Sequence, residues 1–283
     1  MMLGMKTVAT RRDILKCAAV ASAALFGSRI PFAATASPVR LGIASYTFRK
    51  FTPVQLIDFM HQLNTPYLNL KDMHLPVAPV DAAPKQAAAY RAAGLMLTAA
   101  GTIYFLKDED DDIRDKFEYV KSAGIKLIVG SPTHAALGRV ESFVKKYDIR
   151  LAIHNHGPED KEWPSPHDIL KLIGKMDSRM GCCVDVGHAL RAGDDIPATL
   201  REVGARLFDM HIKDLADPHV KESQVAVGEG VMPVRKIFDQ LVAMKYSGNV
   251  DLEYEIKADD PLPGVMASFA SMRNTLKQMG YSA

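Results

Sequence analysis

Four short apolar segments of the chain each end in a histidine or a carboxylate that can bind a metal ion. These residues are His154, Asp185, His211 and Glu253. Imidazole and carboxylate groups suit Zn²⁺ and Mn²⁺, with Co²⁺ and Mg²⁺ as alternatives. Polar residues are common at strand ends, so any one of these positions alone indicates little. Because all four end successive segments, together they predict a metal site.

The two central segments belong to one strand, helix and strand unit. The first runs from Cys182 to His188 and the second from Asp209 to Asp214, and the stretch between them, Asp195 to Gly204, can form a helix. Strands joined in this way are parallel, and parallel strands have their C-terminal ends on one side of the sheet. We therefore expect a polar cluster at that side, formed by Asp185, His188, His211 and Lys213.

The rest of the chain after Val39 repeats this alternation. The other predicted strands are Leu41–Tyr46, Tyr67–Lys71, Leu95–Ala99, Ile125–Val129, Arg150–Ile153 and Asn249–Tyr254. Eight strands, each followed by a helix, fit in about 245 residues, close to the ~250 typical of a TIM barrel. The competing doubly wound sheet usually has a glycine-rich loop after its first strand, whereas this chain has Ser45–Arg49 there. The pattern predicts an α/β fold, with a single (β/α)8 TIM barrel as the catalytic domain over residues 37–283.

The composition is that of an ordinary globular protein without a bias towards nucleic acid. The 283 residues are 48% hydrophobic and 24% charged, which suits one large domain. The formal net charge is +2, and no basic stripe with interleaved aromatic residues is present. We therefore expect no nucleic-acid partner.

The N-terminal residues have the pattern of an export signal. Arg11 and Arg12 are followed by an apolar run, and Ala34-Thr35-Ala36 is a small-residue cleavage site. This order is typical of a secretory signal, and the paired arginines resemble the bacterial twin-arginine signal. An amphipathic leader or a retained anchor is the alternative, but the apolar run is short for a membrane span. We predict that residues 1–36 are a twin-arginine-type signal peptide and that the mature protein is periplasmic or secreted, without a stable membrane anchor.

Four phrases of the sequence resemble the sugar phosphate isomerase/epimerase family, the xylose isomerase-like TIM barrels related to endonuclease IV. They are Cys182–His188, Asp209–Asp214, Val225–Val231 and Asp251–Glu255, and the resemblance extends from about Val39 to the C-terminus. In the epimerases of this family, one divalent metal ion is held by Glu, Asp, His and Glu from strands five to eight. The resemblance therefore implies one divalent ion, Mn²⁺ or Zn²⁺ with Co²⁺ or Mg²⁺ as alternatives, at His154, Asp185, His211 and Glu253.

His154 is a departure from the family, which usually has a glutamate at this position. In the epimerases the two glutamates flank the substrate, and each moves a proton on its own face. A metal-bound imidazole has no free lone pair on its ligating nitrogen, so one of the two proton-transfer groups is missing. Proton removal on one face remains, with the metal polarising a carbonyl and stabilising the enediolate. The candidate catalytic residues are Glu253, Lys71, His188 and Lys213.

Other polar and aromatic side chains near the predicted strand ends are candidates for substrate binding. They are His74, His156, Arg191, Glu229, Glu255 and Trp163. Glu229 lies between two glycines, so a role in a tight turn is the alternative for this residue. Trp163 could be a lid residue that stacks on a sugar ring.

We therefore expect an exported, metal-dependent enzyme that acts on an unphosphorylated sugar or keto-sugar by proton abstraction next to a carbonyl. The resemblance covers isomerases, epimerases, lyases and hydratases, and the missing glutamate favours a lyase or hydratase. Sugar phosphates are cytoplasmic metabolites, so export favours an unphosphorylated substrate. The alternative from another class is a non-catalytic periplasmic sugar-binding barrel. The near-neutral charge disfavours a DNA-cleaving enzyme like endonuclease IV, and assembly into a homo-oligomer is left open.

Overall fold

Eight parallel strands close into a barrel in which each strand pairs with its neighbours along the chain. The computed structural model describes residues 35–282. The barrel strands are β1 (Arg40–Ala44), β2 (Tyr67–Leu70), β3 (Met96–Phe105), β4 (Leu127–Pro132), β5 (Arg150–His154), β6 (Met180–Asp185), β7 (Leu207–Ile212) and β8 (Asn249–Leu252). Strand β8 pairs with β1, with Val250 opposite Leu41, and this pairing closes the ring. The predicted (β/α)8 TIM barrel is confirmed, and the open doubly wound sheet is excluded.

Helices follow the strands, and several begin at capping residues that the sequence makes recognisable. They are α1 (Pro53–Gln62), α2 (Ala83–Ala92), α3 (Asp110–Ser122), α4 (Leu137–Tyr147), α5 (Pro166–Ile173), α6 (Val186–Arg191), α7 (Ile196–Val203), α8 (Val234–Ala243) and α9 (Leu262–Gln278). Thr52 precedes α1. Its side chain accepts the backbone N–H of Gln55, and the Gln55 side chain accepts the backbone N–H of Thr52. Ser165 and Asp195 accept backbone N–H groups at the starts of α5 and α7 in a similar way.

Most residues of the barrel strands are buried, and helices cover the outer faces of the strands. Every residue of β4, β6 and β7 is buried. Parallel strands covered on both faces are expected to be nearly continuous apolar runs, as Leu127–Val129 is. Polar residues interrupt these runs mainly towards the C-terminal strand ends, where His154, Asp185 and His211 are buried.

The structure departs from the predicted elements at three places around the C-terminal end of the barrel. Strand β1 ends at Ala44 and continues as a 3-10 turn, Ser45–Phe48. Strand β3 extends to Phe105, well beyond its predicted end. Helix α6 was not predicted, and it begins directly after β6 because the carboxylate of Asp185 accepts the N–H of His188 at 2.9 Å.

Short segments of regular structure complete the described chain. Further 3-10 turns are Val80–Ala82 and Gly204–Arg206, and short strands are Thr35–Ala36, Asp214–Leu215, Gln224–Val225 and Tyr281–Ser282. The strands Asp214–Leu215 and Gln224–Val225 pair antiparallel within the loop that follows β7. This loop therefore has an internal structure that the sequence pattern did not predict.

Within residues 35–282, none of the helices is both long enough and apolar enough to span a membrane. Almost all of the predicted signal peptide, including Arg11 and Arg12, lies outside the described residues. The signal peptide and the domain boundary at residue 36 therefore stay predictions.

Candidate metal centre and active site

The four predicted metal ligands lie on four adjacent strands at the C-terminal end of the barrel. His154 ends β5, Asp185 ends β6, His211 lies in β7, and Glu253 directly follows β8. Strand pairing aligns His154 with Cys183 and Asp185 with His211. All four ligand side chains are buried, and the most exposed of these residues, Glu253, is only 7% exposed. The barrel thus brings together one candidate ligand from each of four successive strands.

The candidate ligand atoms surround a common point. His154 Nε2 lies 3.0 Å from His211 Nδ1 and 3.6 Å from Asp185 Oδ2. Glu253 Oε2 lies 3.2 Å from His211 Nδ1 and 4.0 Å from His154 Nε2. In a tetrahedral site with bonds of ~2.0–2.2 Å, ligand atoms are about 3.4 Å apart. The observed spacings bracket this value, so the geometry fits a divalent ion.

The donor chemistry fits such an ion as well. Burial, together with the neighbouring His156 and His211, holds the pKa of His154 well below its ordinary value, so the ring is neutral and offers a lone pair. The sulfur of Cys183 also lies close to His154 and His211. Burial raises the pKa of this thiol to about 12, which leaves it protonated and a poor ligand. The set with two imidazoles and two carboxylates is therefore the better metal site.

Asn69, on β2, contacts the outer nitrogen of His211 and has an unused acceptor. Its Nδ2 donates to His211 Nε2 at 3.1 Å, and its Oδ1 is buried with no hydrogen-bond partner among the described residues. Rotation of the amide by half a turn would let Oδ1 accept from Nε2–H and leave the Nδ1 lone pair free for a metal. Metal-binding histidines usually donate their second N–H to such an acceptor. Asn69 is a supporting residue that the sequence reasoning missed.

Lys213 lies within the cluster as a buried ammonium. Its Nζ lies 2.9 Å from Asp185 Oδ2 and 3.1 Å from Glu253 Oε2, and it also donates to Glu255 Oε1. Burial lowers the pKa of Lys213, but Asp185, Glu255 and Glu253 outweigh burial and raise the pKa well above its ordinary value. A base must be able to lose its proton, so Lys213 does not suit the proton-abstracting role proposed for it from the sequence.

Glu253 is anionic in this surrounding. Burial raises the pKa of its carboxyl group, but Lys213 and His211 outweigh burial and hold the pKa well below its ordinary value. Ionised carboxylates and neutral imidazoles are the protonation states that metal binding requires. Glu253 is therefore ready to serve as a ligand.

A cavity of about 330 Å³ opens onto the cluster at the mouth of the barrel. Such a volume is within the range of small-molecule binding sites. Its lining residues are Tyr46, Lys71, Thr102, Tyr104, His154, His156, His188, Glu253 and Glu255. Of the predicted catalytic and substrate-binding residues, the structure thus brings Lys71, His156, His188, Glu253 and Glu255 together in one cavity.

Lys71 follows β2 and lies in the cavity wall beside Tyr104. Its Nζ lies 4.8 Å from the centre of the Tyr104 ring and donates to the backbone oxygen of Thr102. Burial lowers the pKa of Lys71, and the charges of Asp72 and Glu253 only partly oppose this effect. A lowered pKa raises the fraction of neutral amine at neutral pH, and a neutral amine keeps a lone pair that can accept a proton.

His156 is oriented by a carboxylate that the sequence reasoning did not single out. Its Nδ1 lies 2.9 Å from Asp160 Oδ2, and its Nε2 lies 3.5 Å from the Tyr104 hydroxyl. The other oxygen of Asp160 accepts backbone N–H groups of Glu162 and Trp163. The loop after β5 therefore holds Asp160, and Asp160 in turn holds the imidazole at the cavity wall.

Trp163 is not a lid residue, which corrects the expectation from the sequence. Its side chain is fully buried, and its Nε1 donates to the backbone oxygen of Pro132 at 2.6 Å. The backbone oxygen of Trp163 accepts the N–H of His156 at 2.9 Å. Trp163 thus anchors the loop that carries His156 and Asp160, and a side chain buried in this way cannot stack on a sugar.

His188 and Arg191, both in α6, lie towards a second, smaller cavity of about 140 Å³. His188 and Glu255 line both cavities. Burial, followed by the charge of Lys213, lowers the pKa of His188 to about 3, so its ring is neutral and only weakly basic at neutral pH. Arg191 lines the smaller cavity and pairs with Glu159.

His74 and Glu229 do not reach either cavity, and these placements correct the expectation that they bind substrate. The two ring nitrogens of His74 lie 3.1 Å from the hydroxyl of Ser45 and 3.1 Å from the backbone oxygen of Phe51, so the side chain supports the loop after β1. Glu229 is exposed in a turn in which its N–H donates to the backbone oxygen of Ala226. Glu229 thus lies in a tight turn, which was the alternative role considered for it from the sequence.

Two side chains hold the backbone around Glu253 and were missed in the sequence. The Thr47 hydroxyl donates to the backbone oxygen of Leu252 and accepts the N–H of Tyr254. Gln224 donates to the backbone oxygen of Glu253 at 2.7 Å and accepts the N–H of Glu255 at 2.9 Å. The chain after β8 is thus held on both sides, which positions the two glutamates.

Asp214 organises the loop that carries Gln224. Its carboxylate accepts the backbone N–H groups of Leu215, Gly228, Gly230 and Met232. A signal for this role is visible in the sequence, because Asp214 ends one of the phrases that resemble the family, and Gly228 and Gly230 belong to another.

Two further carboxyl groups lie two residues before the ligands on β7 and β8. Asp209 precedes His211 and Asp251 precedes Glu253, and both side chains are fully buried without a hydrogen-bond partner among the described residues. Burial raises the pKa of Asp209 to about 7, and burial together with Asp209 raises the pKa of Asp251 well above its ordinary value. The alternation of side chains along a strand could have identified both from the sequence, because residues two apart share a face.

Solved structures of several proteins have the same fold at low sequence identity. 3-Keto-D-glucoside 4-epimerase from E. coli is 18% identical, with 83% of this chain and 99% of that chain covered and a TM-score of 0.68. The probable 3-DHS dehydratase AsbF from Bacillus anthracis is 12% identical, with 83% and 98% covered and a TM-score of 0.68. The IolI protein with a bound zinc atom is 16% identical, with 87% and 100% covered and a TM-score of 0.69. No curated protein sequence matches the chain.

The family assignment rests on a longer match. A model of the family described as xylose isomerase-like TIM barrel matches residues 80–275, which is more than half of the chain. The matched region contains all four candidate ligands, so the resemblance seen in the sequence is confirmed. The chain belongs to the xylose isomerase-like TIM barrel family.

Proposed function

We propose that the chain is a divalent-metal-dependent enzyme that removes a proton next to a carbonyl of an unphosphorylated sugar or keto-sugar. The observation that carries this proposal is the cluster of His154, Asp185, His211 and Glu253, whose ligand atoms all lie within 4.8 Å of one another at a cavity. A divalent ion bound there would supply a Lewis acid that polarises the carbonyl. Mn²⁺ and Zn²⁺ suit this donor set best.

Lys71 is the residue that we propose as the base. It lines the cavity, its pKa is lowered by burial, and its neutral amine has a lone pair for the proton. The other candidates fit this role less well, because Lys213 holds its proton and His188 is only weakly basic. Glu253 is committed to the metal cluster through its Oε2.

His156 and Tyr104 are suited to bind substrate oxygens beside Lys71. The imidazole Nε2 and the phenol hydroxyl lie 3.5 Å apart, so one substrate oxygen can hydrogen-bond to both groups. Asp160 keeps the imidazole ring in a fixed orientation. These residues would orient the sugar so that the carbon that loses its proton faces Lys71.

Elimination or hydration is the reaction that we favour within this class. Epimerisation requires proton transfer on both faces of the substrate, which the family epimerases achieve with two glutamates. His154 replaces one of them, is neutral, and directs its Nε2 towards His211 and Asp185. The E. coli neighbour is named for 3-keto-glucosides, so these compounds are the first substrates to test.

A non-catalytic sugar-binding barrel has less support. A lysine with a lowered pKa beside a cluster of four metal-competent side chains has no evident use in binding alone. The solved neighbours named above include an epimerase and a probable dehydratase, which is consistent with catalysis.

Variants of the cluster and of Lys71 should separate metal binding from proton transfer. We expect Asp185→Ala and His211→Ala to lower bound metal and turnover together, because each removes one of four ligands. Lys71→Met should keep the metal and reduce turnover at least about 100-fold, as expected for loss of a general base. The measurements are metal content by mass spectrometry and solvent-deuterium exchange into 3-keto-glucosides by NMR, with the exposed Lys85→Met as control. Full turnover by the Asp185 and His211 variants after metal removal would refute the proposal.

His154→Glu should change the reaction while keeping the metal. A glutamate oxygen is also an acceptable ligand, and its second oxygen could carry a proton on the other face of the substrate. We expect most of the native turnover to be lost and some epimerase-type proton exchange to appear, both measured by NMR in D₂O. If His154→Ala binds metal as tightly as the unmodified protein and remains fully active, His154 is not a ligand.

We also propose that the enzyme is exported, from the sequence pattern around Arg11 and Arg12. Replacement of both arginines by lysine should block or strongly slow export if the twin-arginine route is used. Cell fractionation with an antibody against the chain measures the exported share. An unchanged amount in the periplasm, in cells without another export route, would contradict the proposal.

A further inference from the structure

We propose that Lys213 is a built-in counter-ion of the metal site that holds the ligand carboxylates together without metal and weakens metal binding when an ion is present. The inference rests on the proposed metal-dependent function and concerns how the chain controls that metal. A resident ammonium would keep the ion exchangeable rather than permanently bound.

The geometry places the ammonium on the same oxygens that would bind the ion. Lys213 Nζ lies 2.9 Å from Asp185 Oδ2 and 3.1 Å from Glu253 Oε2. His154 Nε2 approaches these two oxygens at 3.6 and 4.0 Å. A metal ion bound by His154, Asp185 and Glu253 would therefore share its carboxylate oxygens with Lys213.

The methylene groups of Lys213 pack against Gly187, where a larger residue would collide with them. A Cβ atom added at Gly187 would lie 2.3 Å from Lys213 Cγ and 2.7 Å from its Cδ, far closer than van der Waals contact. Lys213 itself is only 3% exposed, so its stem has no room to move towards solvent without repacking. The absence of a side chain at Gly187 thus allows the ammonium to reach the cluster.

Lys213 offsets part of the carboxylate charge in the cluster. Asp185, Glu253 and Glu255 are three carboxyl groups in contact with one ammonium, and these four groups have a formal net charge of two negative charges. Without Lys213, three negative charges would face one another when no metal is bound. Buried like charges repel strongly, so the metal-free protein would be less stable and would bind a cation more tightly.

A purely structural role of Lys213 makes the opposite prediction. If Lys213 mainly positions Asp185 and Glu253, its removal should let the ligands spread apart and should weaken metal binding. The direction of the change in metal affinity therefore distinguishes the two roles.

The test measures Mn²⁺ and Zn²⁺ affinity of the full chain by chelator competition, and the melting temperature of the metal-free protein. We expect Lys213→Met to bind Mn²⁺ at least about tenfold more tightly, because one positive charge next to the ion is removed. Its metal-free form should melt at a lower temperature than the unmodified protein. Gly187→Ala should shift both quantities in the same direction, because the added methyl group displaces the lysine stem.

A charge-balanced double variant, Lys213→Met with Glu255→Gln, provides the matched control. It restores two negative charges without the lysine, so its Mn²⁺ affinity should return towards that of the unmodified protein. Lys236→Met, on the exposed surface of α8, should change neither affinity nor melting temperature.

Three outcomes would overturn the inference, and each has a distinct meaning. Unchanged or weaker Mn²⁺ binding by Lys213→Met would show that the lysine is only a scaffold. A double variant that binds as tightly as Lys213→Met would refute the charge argument. If the unmodified protein binds neither metal, the proposed metal site itself fails, and the inference about Lys213 fails with it.

Discussion

The structure depends on the balance of buried charges at the mouth of the barrel. Asp185 and Glu253 are almost completely buried, and a buried carboxylate is unstable unless a cation is close by. Lys213 supplies one positive charge within contact distance of both carboxylates. The carboxylate charge that Lys213 does not balance, together with the imidazoles of His154 and His211, makes the site attractive to a divalent ion. Catalysis of the kind we propose follows from this arrangement, because an ion held there lies beside the cavity that contains Lys71.

The cavity wall is positioned by contacts outside the metal cluster. Asp160 orients His156, and Trp163 anchors the loop that carries both. Thr47 and Gln224 hold the backbone of Glu253 from two sides. These residues do not themselves need to touch a substrate. They restrict the motion of the cavity residues that would contact the substrate. This restriction is important because a small misplacement of a catalytic group lowers the reaction rate strongly.

The barrel and the four candidate ligands could be predicted because their signals are local. Each candidate ligand lies at or next to the C-terminal end of a short, mostly apolar strand, and parallel pairing alone brings these strand ends together. The positions of the Trp163, His74 and Glu229 side chains could not be predicted in this way. Each lies outside the strands, and the direction of its side chain depends on partners that are distant in the sequence, such as the Pro132 carbonyl that accepts from Trp163. Tyr104 was missed because β3 extends beyond its apolar run. Asp209 and Asp251 were missed although residues two apart on a strand share a face with the ligands.

We propose above all that His154, Asp185, His211 and Glu253 hold one divalent ion. An anomalous-difference map from crystals of the purified protein, collected at the Mn and Zn absorption edges, tests it most directly. We expect one strong peak within ~2.0–2.3 Å of His154 Nε2, His211 Nδ1 and an oxygen of each carboxylate. A fully occupied ion elsewhere, for example between Asp185, His188 and Glu255, would contradict this ligand set. The absence of any peak in metal-supplemented crystals would contradict it as well.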